Sequence, residues 1–306
     1  MKKVLAIVLV LFTLVGCSSV DISEELDESK KTVTVTTSFL YDMVDELAGD
    51  YVNRRLIIPA GEDPHVYVAK PRDLDKILSA DLVLYHGLHF EGKMADVLES
   101  RGYEAAENFP REEIGTMDDD GDEVIDPHFW FNISLYKRAT ENVSKRLIEL
   151  LPEEKDNIEK NTLEYLEKLD NLEKENKELL SQIPEDGRYL ITPHDAFNYF
   201  SKAYDIPVIA PQGMSTDSEV ANKDIQNTVD FIAEHKIKAI FAESTTDPAR
   251  MDKLQEACKA KGFDVKVVKG DGNELFSDSL APVGEVGDSY ISMYRHNVSL
   301  IVENLK

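Results

Sequence analysis

The sequence predicts an α/β protein of two lobes, each a mostly parallel sheet flanked by helices, joined by one long backbone helix. Two observations lead to this prediction. Short apolar segments with strand character alternate with helical segments in both halves of the chain, and this alternation is typical of parallel sheets covered by helices. Between the two halves lies a highly charged segment, residues 152–184, with no glycine or proline between its terminal prolines.

The first residues do not belong to this fold. Lys2 and Lys3 precede an apolar run of about a dozen residues, which is too short to span a bilayer and has the pattern of a signal peptide. The run ends in Leu-Val-Gly-Cys at Cys17, which resembles the bacterial lipobox, where the cysteine is lipidated and becomes the mature N-terminus. An ordinary signal peptide with an incidental cysteine is the alternative. We predict a signal peptide over residues 1–16, then the lipidated Cys17 and a flexible tether over residues 17–31.

The N-terminal lobe is predicted over residues 32–151. Strands are expected over 32–37, 54–58 and 81–85, and helices over 39–48, 71–78 and 90–99. Ser38 and Asn132 are candidate helix N-caps, the second for a helix that runs to about residue 151. The acidic residues 117–123 are interpreted as a solvated loop. A calcium loop is the alternative, but its twelfth position, where a bidentate glutamate belongs, is Phe129.

Residues 152–184 are predicted to form the connecting helix. Favourable i,i+4 charge pairs such as Glu164–Lys168 support it. A partial apolar stripe is supplied by Ile158, Leu163, Leu166, Leu169 and Leu172. At 1.5 Å per residue the helix would be roughly 45 Å long, enough to run along a whole domain. A coiled coil is the alternative, but the stripe is too short for sustained heptads.

The α/β pattern restarts in the C-terminal lobe, residues 185–306. Strands are expected over 189–192, 207–210, 239–243 and 264–268, and helices over 196–204, 218–235, 248–262 and 288–305.

Composition excludes some classes of function. A net charge of −25 over 306 residues leaves no basic footprint, which disfavours nucleic-acid binding. With Cys17 assigned to lipidation, Cys258 stands alone, so an intramolecular disulfide and a cysteine-based zinc site are both excluded. Cys258 lies in a helical pattern and is predicted to be a small core residue.

Three histidines follow a proline, and two of them belong to an Asp-Pro-His tripeptide. They are His65, His128 and His194. Proline fixes φ just before a candidate imidazole ligand. His65 and His194 lie just beyond predicted strands, where ligands gather in open parallel sheets, whereas His128 fits this rule less well. Asp278 follows the last predicted strand, and with the three imidazoles it would complete a closed shell for a divalent first-row metal. Structural histidines are the alternative.

The chain resembles the TroA-like solute-binding lipoproteins of bacterial zinc and manganese ABC importers over nearly its whole length. The resemblance rests on the segments GEDPHVY (61–67), YHGLHFE (85–91), DPHFWFN (126–132), TPHDAFNYF (192–200), FAES (241–244) and LFSDS (275–279). It implies that His65 and His128 from one lobe and His194 and Asp278 from the other bind Zn²⁺ or Mn²⁺ as cargo. It further implies a monomer that is lipid-anchored outside the membrane of a bacterial cell envelope and hands the metal to a membrane ABC permease.

Two departures from the family pattern leave the metal open. Residues 117–123 contain no histidine, whereas many zinc-dedicated members carry a His-rich loop before the second motif. The third ligand position is His194, whereas typical manganese-dedicated members have glutamate there. Three imidazoles favour Zn²⁺ over Mn²⁺ in intrinsic affinity, but this order does not decide the physiological cargo.

The remaining histidines and Glu243 are not expected to be metal ligands. His86 and His89 are expected to be structural or to support ligands, His235 to face solvent and His296 to be structural. Glu243, at a strand end, is a candidate acceptor that orients a ligand imidazole, and a carboxylate without such a role is the alternative.

Two further classes of function are considered. A secreted zinc-dependent hydrolase would need an open coordination position and Glu243 as general base, but the chain has no His-Glu-x-x-His motif. The second class is a surface lipoprotein that acts in cell adhesion, and the predicted lipid anchor at Cys17 is the only sequence feature that supports it. For the metal-binding role we expect affinity to fall at low pH, since the ligands must be deprotonated, and the straight helix to permit only limited lobe closure.

Overall fold

The computed structural model describes residues 26–119, 122–217 and 219–306. The predicted signal peptide, Cys17 and most of the predicted tether lie outside the described residues. The described chain confirms two α/β lobes with parallel strands and one long helix between them. Among the described helices, none combines the length and apolar character that a bilayer crossing requires.

The N-terminal lobe is built on a four-stranded parallel sheet of order β2-β1-β3-β4. Its elements are β1 (Lys31–Val35), α1 (Ser38–Ala48), β2 (Val52–Leu56), α2 (Pro71–Leu78), β3 (Leu82–Tyr85), α3 (Ala95–Arg101) and β4 (Tyr103–Glu104). The cap of α1 is Thr37, whose side chain accepts a hydrogen bond from the Leu40 N–H, and not Ser38 as predicted. Ser38 instead accepts from the Leu280 N–H in the other lobe.

The helix predicted over 90–99 begins later than expected. Leu88 and His89 both have positive φ, and a 3-10 turn at Gly92–Met94 precedes α3. The physical reason is the buried Glu91 carboxylate, which accepts the N–H groups of His86 and Gly87 and so closes a tight turn.

The interpretation of the acidic residues 117–123 as a solvated loop is wrong. These residues belong to an antiparallel hairpin of β5 (Thr116–Asp119) and β6 (Asp122–Ile125). The two residues between the strands are Asp120 and Gly121, a dipeptide favoured in two-residue hairpin connections. This signal was in the sequence, and the acidic composition obscured it.

The long helix is shorter than predicted. Helix α4 (Ile133–Leu150), capped by Asn132, is followed by a 3-10 turn at Pro152–Glu154 and then by α5 (Lys155–Leu180). At 26 residues, α5 is about 39 Å long. It packs on α1 and α4 and also on the C-terminal helix of the chain, so that it contacts both lobes.

The C-terminal lobe has short strands in parallel pairs. Its elements are β7 (Leu190–Ile191), α6 (Asn198–Tyr204), β8 (Val208–Ile209), α7 (Asn222–His235), β9 (Ala239–Phe241), α8 (Ala249–Ala260), β10 (Lys266–Val268) and α9 (Tyr290–Leu305). Strand β7 pairs with β8 and β9 with β10, and single bridges at His194–Gln212 and Glu243–Leu275 lie beyond the strand ends. Helix α7 begins at Asn222, and Ser218, where it was predicted to begin, is not described. Cys258 is fully buried, as predicted.

An aromatic core joins the two lobes. Trp130 donates from Nε1 to the Ser277 carbonyl (2.8 Å) and accepts at its own carbonyl from the Tyr290 hydroxyl (2.6 Å). The rings of Tyr136 and Tyr290 stack with centroids 3.7 Å apart. These contacts join α4 and the segment before it to the C-terminal part of the chain.

Candidate metal centre

The structure brings the four predicted ligand residues together between the lobes. His65 comes from the long connection after β2, His128 from the connection between β6 and α4, His194 from just beyond β7, and Asp278 from the connection between β10 and α9. Their candidate ligand atoms all lie within 4.8 Å of one another. His65 is 7% exposed and the other three are completely buried.

Asp278 lies at the middle of the group. Its Oδ1 is 3.3 Å from His128 Nε2 and 3.9 Å from His65 Nε2, and its Oδ2 is 3.1 Å from His194 Nε2. His65 Nε2 and His128 Nε2 are 3.3 Å apart. Three imidazole nitrogens therefore point at one carboxylate, which is the donor set of a closed N3O shell.

Two of the three imidazoles have a carboxylate on the nitrogen that faces away from the centre. Asp126 Oδ1 is 2.7 Å from His128 Nδ1, and Glu243 Oε2 is 2.5 Å from His194 Nδ1. A carboxylate there holds the Nδ1–H tautomer and directs Nε2 at the centre. Glu243 thus lies in contact with an imidazole, and its role in orienting that ligand candidate stays a prediction.

His65 is held differently. Its backbone N–H donates to Asp63 Oδ1 (2.9 Å), and Asp63 Oδ2 accepts from the Thr216 hydroxyl of the other lobe (2.5 Å). Its ring packs edge-on against Phe90. His65 also borders a cavity of about 410 Å³ that reaches the surface between the lobes.

The centre fits a divalent cation. Both Asp278 oxygens and His194 Nε2 are buried and lack a hydrogen bond of good geometry. Buried polar atoms without partners are costly, and a cation bound between them would satisfy all three at once.

Burial and charge act in opposite directions on the ionisable groups of the centre. Burial raises the pKa of Asp278, but the His194 charge and the close approach of His128 Nε2 (3.3 Å) and His194 Nε2 (3.1 Å) outweigh it and hold the pKa well below its usual range. Burial lowers the pKa of His128, but hydrogen bonds to Asp126 and Asp278 outweigh it and raise the pKa to about 9. The pKa of His194 is likewise raised, because Glu243 and Asp278 outweigh its burial. Burial lowers the pKa of His65 to about 3.

The other histidines lie outside the ligand group. His86 is buried, with Nδ1 3.0 Å from Thr37 Oγ1 and aromatic rings around it, and burial lowers its pKa to about 3. His89 is exposed at the edge of the 410 Å³ cavity. His296 Nε2 lies 3.0 Å from the Glu274 carbonyl, a structural contact. His235 is half-buried against the Phe231 ring and does not face solvent freely.

Sequence reasoning missed Asp126 and Asp63. Each is the aspartate of an Asp-Pro-His tripeptide and lies two residues before a ligand candidate. The tripeptide itself was the signal that could have found them. The hydrolase alternative finds no support, since the Glu243 carboxylate that would be its base is bonded to His194 Nδ1.

Comparisons with known proteins identify the family of the chain. A family profile described as zinc-uptake complex component A, periplasmic (ZnuA), matches residues 33–304. The manganese-binding lipoprotein MntA of Bacillus subtilis (strain 168) is 36% identical over 306 residues, which cover 98% of each chain. The zinc-binding protein TroA of Treponema pallidum (strain Nichols) is 33% identical over 310 residues, which cover 99% of this chain and 98% of that protein.

Solved structures show the same similarity. One structure, concerned with the metal-binding specificity of TroA, has a TM-score of 0.90 and 60% identity, and the match covers 90% of this chain and 100% of that one. The periplasmic zinc-binding protein TroA from Treponema pallidum has a TM-score of 0.84 and 34% identity, with 90% and 99% covered. A further relative, scaA of Streptococcus gordonii, is named as a manganese ABC transporter substrate-binding lipoprotein and is 34% identical over 319 residues. The chain therefore belongs to the ZnuA family, whose members are substrate-binding proteins of metal ABC importers rather than enzymes.

Proposed function

We propose that this protein captures Zn²⁺ or Mn²⁺ between its lobes and delivers the ion to a membrane ABC permease. His65, His128, His194 and Asp278 are the ligands in this proposal. The observation that carries it is the buried N3O donor group, in which no position remains for a substrate to react. A shell of this kind suits capture and transfer of the metal itself.

The proposal includes the cellular setting. Cys17 carries the lipid, residues 17–31 form the tether, and the protein acts as a monomer on the extracytoplasmic face of a bacterial membrane. The Leu-Val-Gly-Cys sequence and the lipoprotein names of relatives support this. Residues 32–151 and 185–306 act as the two lobes, with residues 152–184 as the connection.

Metal analysis of the protein, purified without added metal, tests the ligand set. We expect about one transition-metal ion per chain, and we expect His65→Ala or Asp278→Ala to lower the affinity for both Zn²⁺ and Mn²⁺. His296→Ala is the matched control, because its ring lies against the Glu274 carbonyl and the Phe276 ring, neither of which belongs to a candidate ligand. Unchanged stoichiometry and affinity in both ligand variants would overturn the assignment.

A competition titration between Zn²⁺ and Mn²⁺ addresses the cargo. Three imidazoles predict tighter binding of Zn²⁺. Equal or tighter binding of Mn²⁺ would show that the geometry of the pocket outweighs the intrinsic preference of the donors.

Fractionation of cells that express the full chain tests the anchor. The wild type is expected with the membranes, whereas Cys17→Ser is expected to lose this association because no lipid can be attached. Retention of the variant at wild-type levels would contradict a lipid anchor at Cys17.

A further inference from the structure

We infer that Asp126 is a positioning residue for metal binding, which holds His128 in its ligand orientation, and that Tyr199 of the other lobe holds Asp126. This inference rests on the proposed function, in which His128 is a ligand. It adds two residues that do not contact the metal, and it makes one ligand of the N-terminal lobe dependent on the C-terminal lobe.

One oxygen of Asp126 makes both contacts to His128. Asp126 Oδ1 accepts from the His128 backbone N–H (3.0 Å) and lies 2.7 Å from His128 Nδ1. Because the same oxygen fixes the main chain and the ring, rotation of the imidazole about its side-chain bonds would break a hydrogen bond between fully buried groups. Such a loss is unfavourable, because a buried polar group without a partner has given up its hydration and regains nothing, and the cost is greater when one partner is charged.

Asp126 is itself fixed through its backbone. Its N–H donates to the Gly115 carbonyl (2.8 Å), and its carbonyl accepts from the Tyr199 hydroxyl (3.0 Å). The same hydroxyl accepts from the Gly115 N–H (2.8 Å). Tyr199 lies in α6 of the C-terminal lobe, so one phenol oxygen joins that lobe to both Gly115 and Asp126.

Gly115, Asp126 and Tyr199 are closely packed, with little free space between them. A Cβ atom added at Gly115 would lie 3.2 Å from Asp126 Cβ and 3.3 Å from Tyr199 Cζ. Close packing on these sides means that the Asp126 carboxylate has few other orientations available.

The arrangement matters for the metal because a carboxylate on Nδ1 raises the basicity of Nε2. Loss of such a partner typically costs 10–100-fold in metal affinity. His194 has Glu243 in this role, whereas Asp63 bonds the backbone of His65. Asp126 therefore supports one of two imidazoles that the protein prepares for the metal in advance.

The alternative is that Asp126 only stabilises the turn before α4. A double-mutant cycle separates the two roles, because groups that act through one another are non-additive. Zn²⁺ affinity is measured by chelator competition for Asp126→Asn, His128→Ala and the double variant. We expect Asp126→Asn to weaken Zn²⁺ binding about 10–100-fold in the wild-type background and to have almost no effect once His128 is alanine. Equal losses in both backgrounds would overturn the inference.

Asp42→Asn is the matched control. Asp42 is a half-buried carboxylate that accepts the Tyr290 backbone N–H and the Tyr165 hydroxyl, and among the described residues no hydrogen bond or ion pair joins it to a candidate ligand. We expect it to leave Zn²⁺ affinity unchanged. A loss equal to that of Asp126→Asn would show that removal of a carboxylate charge away from the ligands has the same effect, and would contradict the inference.

Two further measurements address the orientation of His128 and the role of Tyr199. The visible spectrum of the Co²⁺-loaded protein is expected to change in Asp126→Asn, since an altered imidazole orientation changes the ligand field, and an unchanged spectrum would count against reorientation. Tyr199→Phe is expected to speed Zn²⁺ release without loss of stoichiometry, and an unchanged release rate would remove Tyr199 from the inference. If the wild type binds no metal, the proposed function fails. If the wild type binds metal and Asp126→Asn binds Zn²⁺ with wild-type affinity, the proposed function stands and this inference alone fails.

Discussion

At the residue scale, the three candidate imidazole ligands differ in how they are supported. His128 and His194 each have a carboxylate on Nδ1 and no exposed surface. His65 is 7% exposed, is held by Asp63 through its backbone N–H and borders the 410 Å³ cavity between the lobes. His128 and His194 are therefore held by carboxylates in the metal-free chain, and we expect His65, the candidate ligand that borders the cavity, to meet an incoming ion first.

The raised pKa values predict the pH dependence of binding. His128, with a pKa of about 9, and His194 hold protons at neutral pH in the metal-free protein, and the metal must displace them. Affinity should therefore fall as pH drops below about 9, by roughly tenfold per pH unit for each displaced proton. Calorimetry at several pH values and in buffers of different ionisation enthalpy measures both the affinity and the protons released. A pH-independent affinity between pH 6 and 9 would contradict this assignment.

Glu91 predicts a pH effect on stability that is separate from metal binding. Burial raises the pKa of this carboxyl to about 7, against hydrogen bonds from Thr36, His86 and Gly87. A carboxyl with a raised folded-state pKa stabilises the fold below its unfolded pKa, and this contribution is lost as pH rises to about 7. Relative to Glu91→Gln, the wild type should lose up to about 3 kcal/mol of unfolding free energy between pH 4.5 and 7. Denaturant unfolding of both metal-free proteins tests this, and parallel pH profiles would refute it.

At the scale of elements, the connecting helix shows what a sequence pattern can and cannot predict. The predicted apolar stripe included Leu163, which is 68% exposed, and Leu169, which is completely buried. Both fit a loose apolar spacing, and only the positions of α1, α4 and α9 decide which side of α5 is covered.

This difference gives a matched pair of substitutions in one helix. Leu169→Ala should destabilise the protein by about 2–5 kcal/mol, because it leaves a cavity in the core shared by both lobes. Leu163→Ala should change the free energy of unfolding by less than about 0.5 kcal/mol. Denaturant unfolding measures both, and similar losses in the two variants would contradict the placement of α5.

At the scale of the whole molecule, the lobes share a single hydrophobic cluster. It contains side chains from α1, α4 and α5 together with side chains from α9, so relative rotation of the lobes would disrupt a close-packed interior. The Trp130 bonds to Ser277 and Tyr290 lie in the same region.

We therefore expect limited closure on metal binding, with changes confined to the loops that carry the ligands. Small-angle scattering of metal-free and Zn²⁺-loaded protein should give the same radius of gyration within error. Crystal structures of both states provide the finer comparison. A large lobe rotation between them would show that the shared core deforms, contrary to this expectation.

The sequence alone determined the α/β class, the restart of the pattern after a long helix and the identity of the candidate ligands. The first two depend on hydrophobic periodicity and on helix caps such as Asn132. The candidate ligands rest on the proline before His65, His128 and His194 and, for the full set with Asp278, on the family resemblance. Element ends were less predictable, as at Gly92–Met94, where a buried carboxylate displaced a helix start.

Only the tertiary structure decided which groups meet. Asp126, Tyr199 and Gly115 are separated along the chain, and their hydrogen bonds exist only because α6 packs against the segment before α4. The four candidate ligands lie in connections of both lobes, so the distances between His65, His128, His194 and Asp278 follow from the packing of one lobe against the other. The sequence determined the donors of the site, and the fold determined their geometry and their protonation, because burial and neighbouring charge are properties of the folded chain.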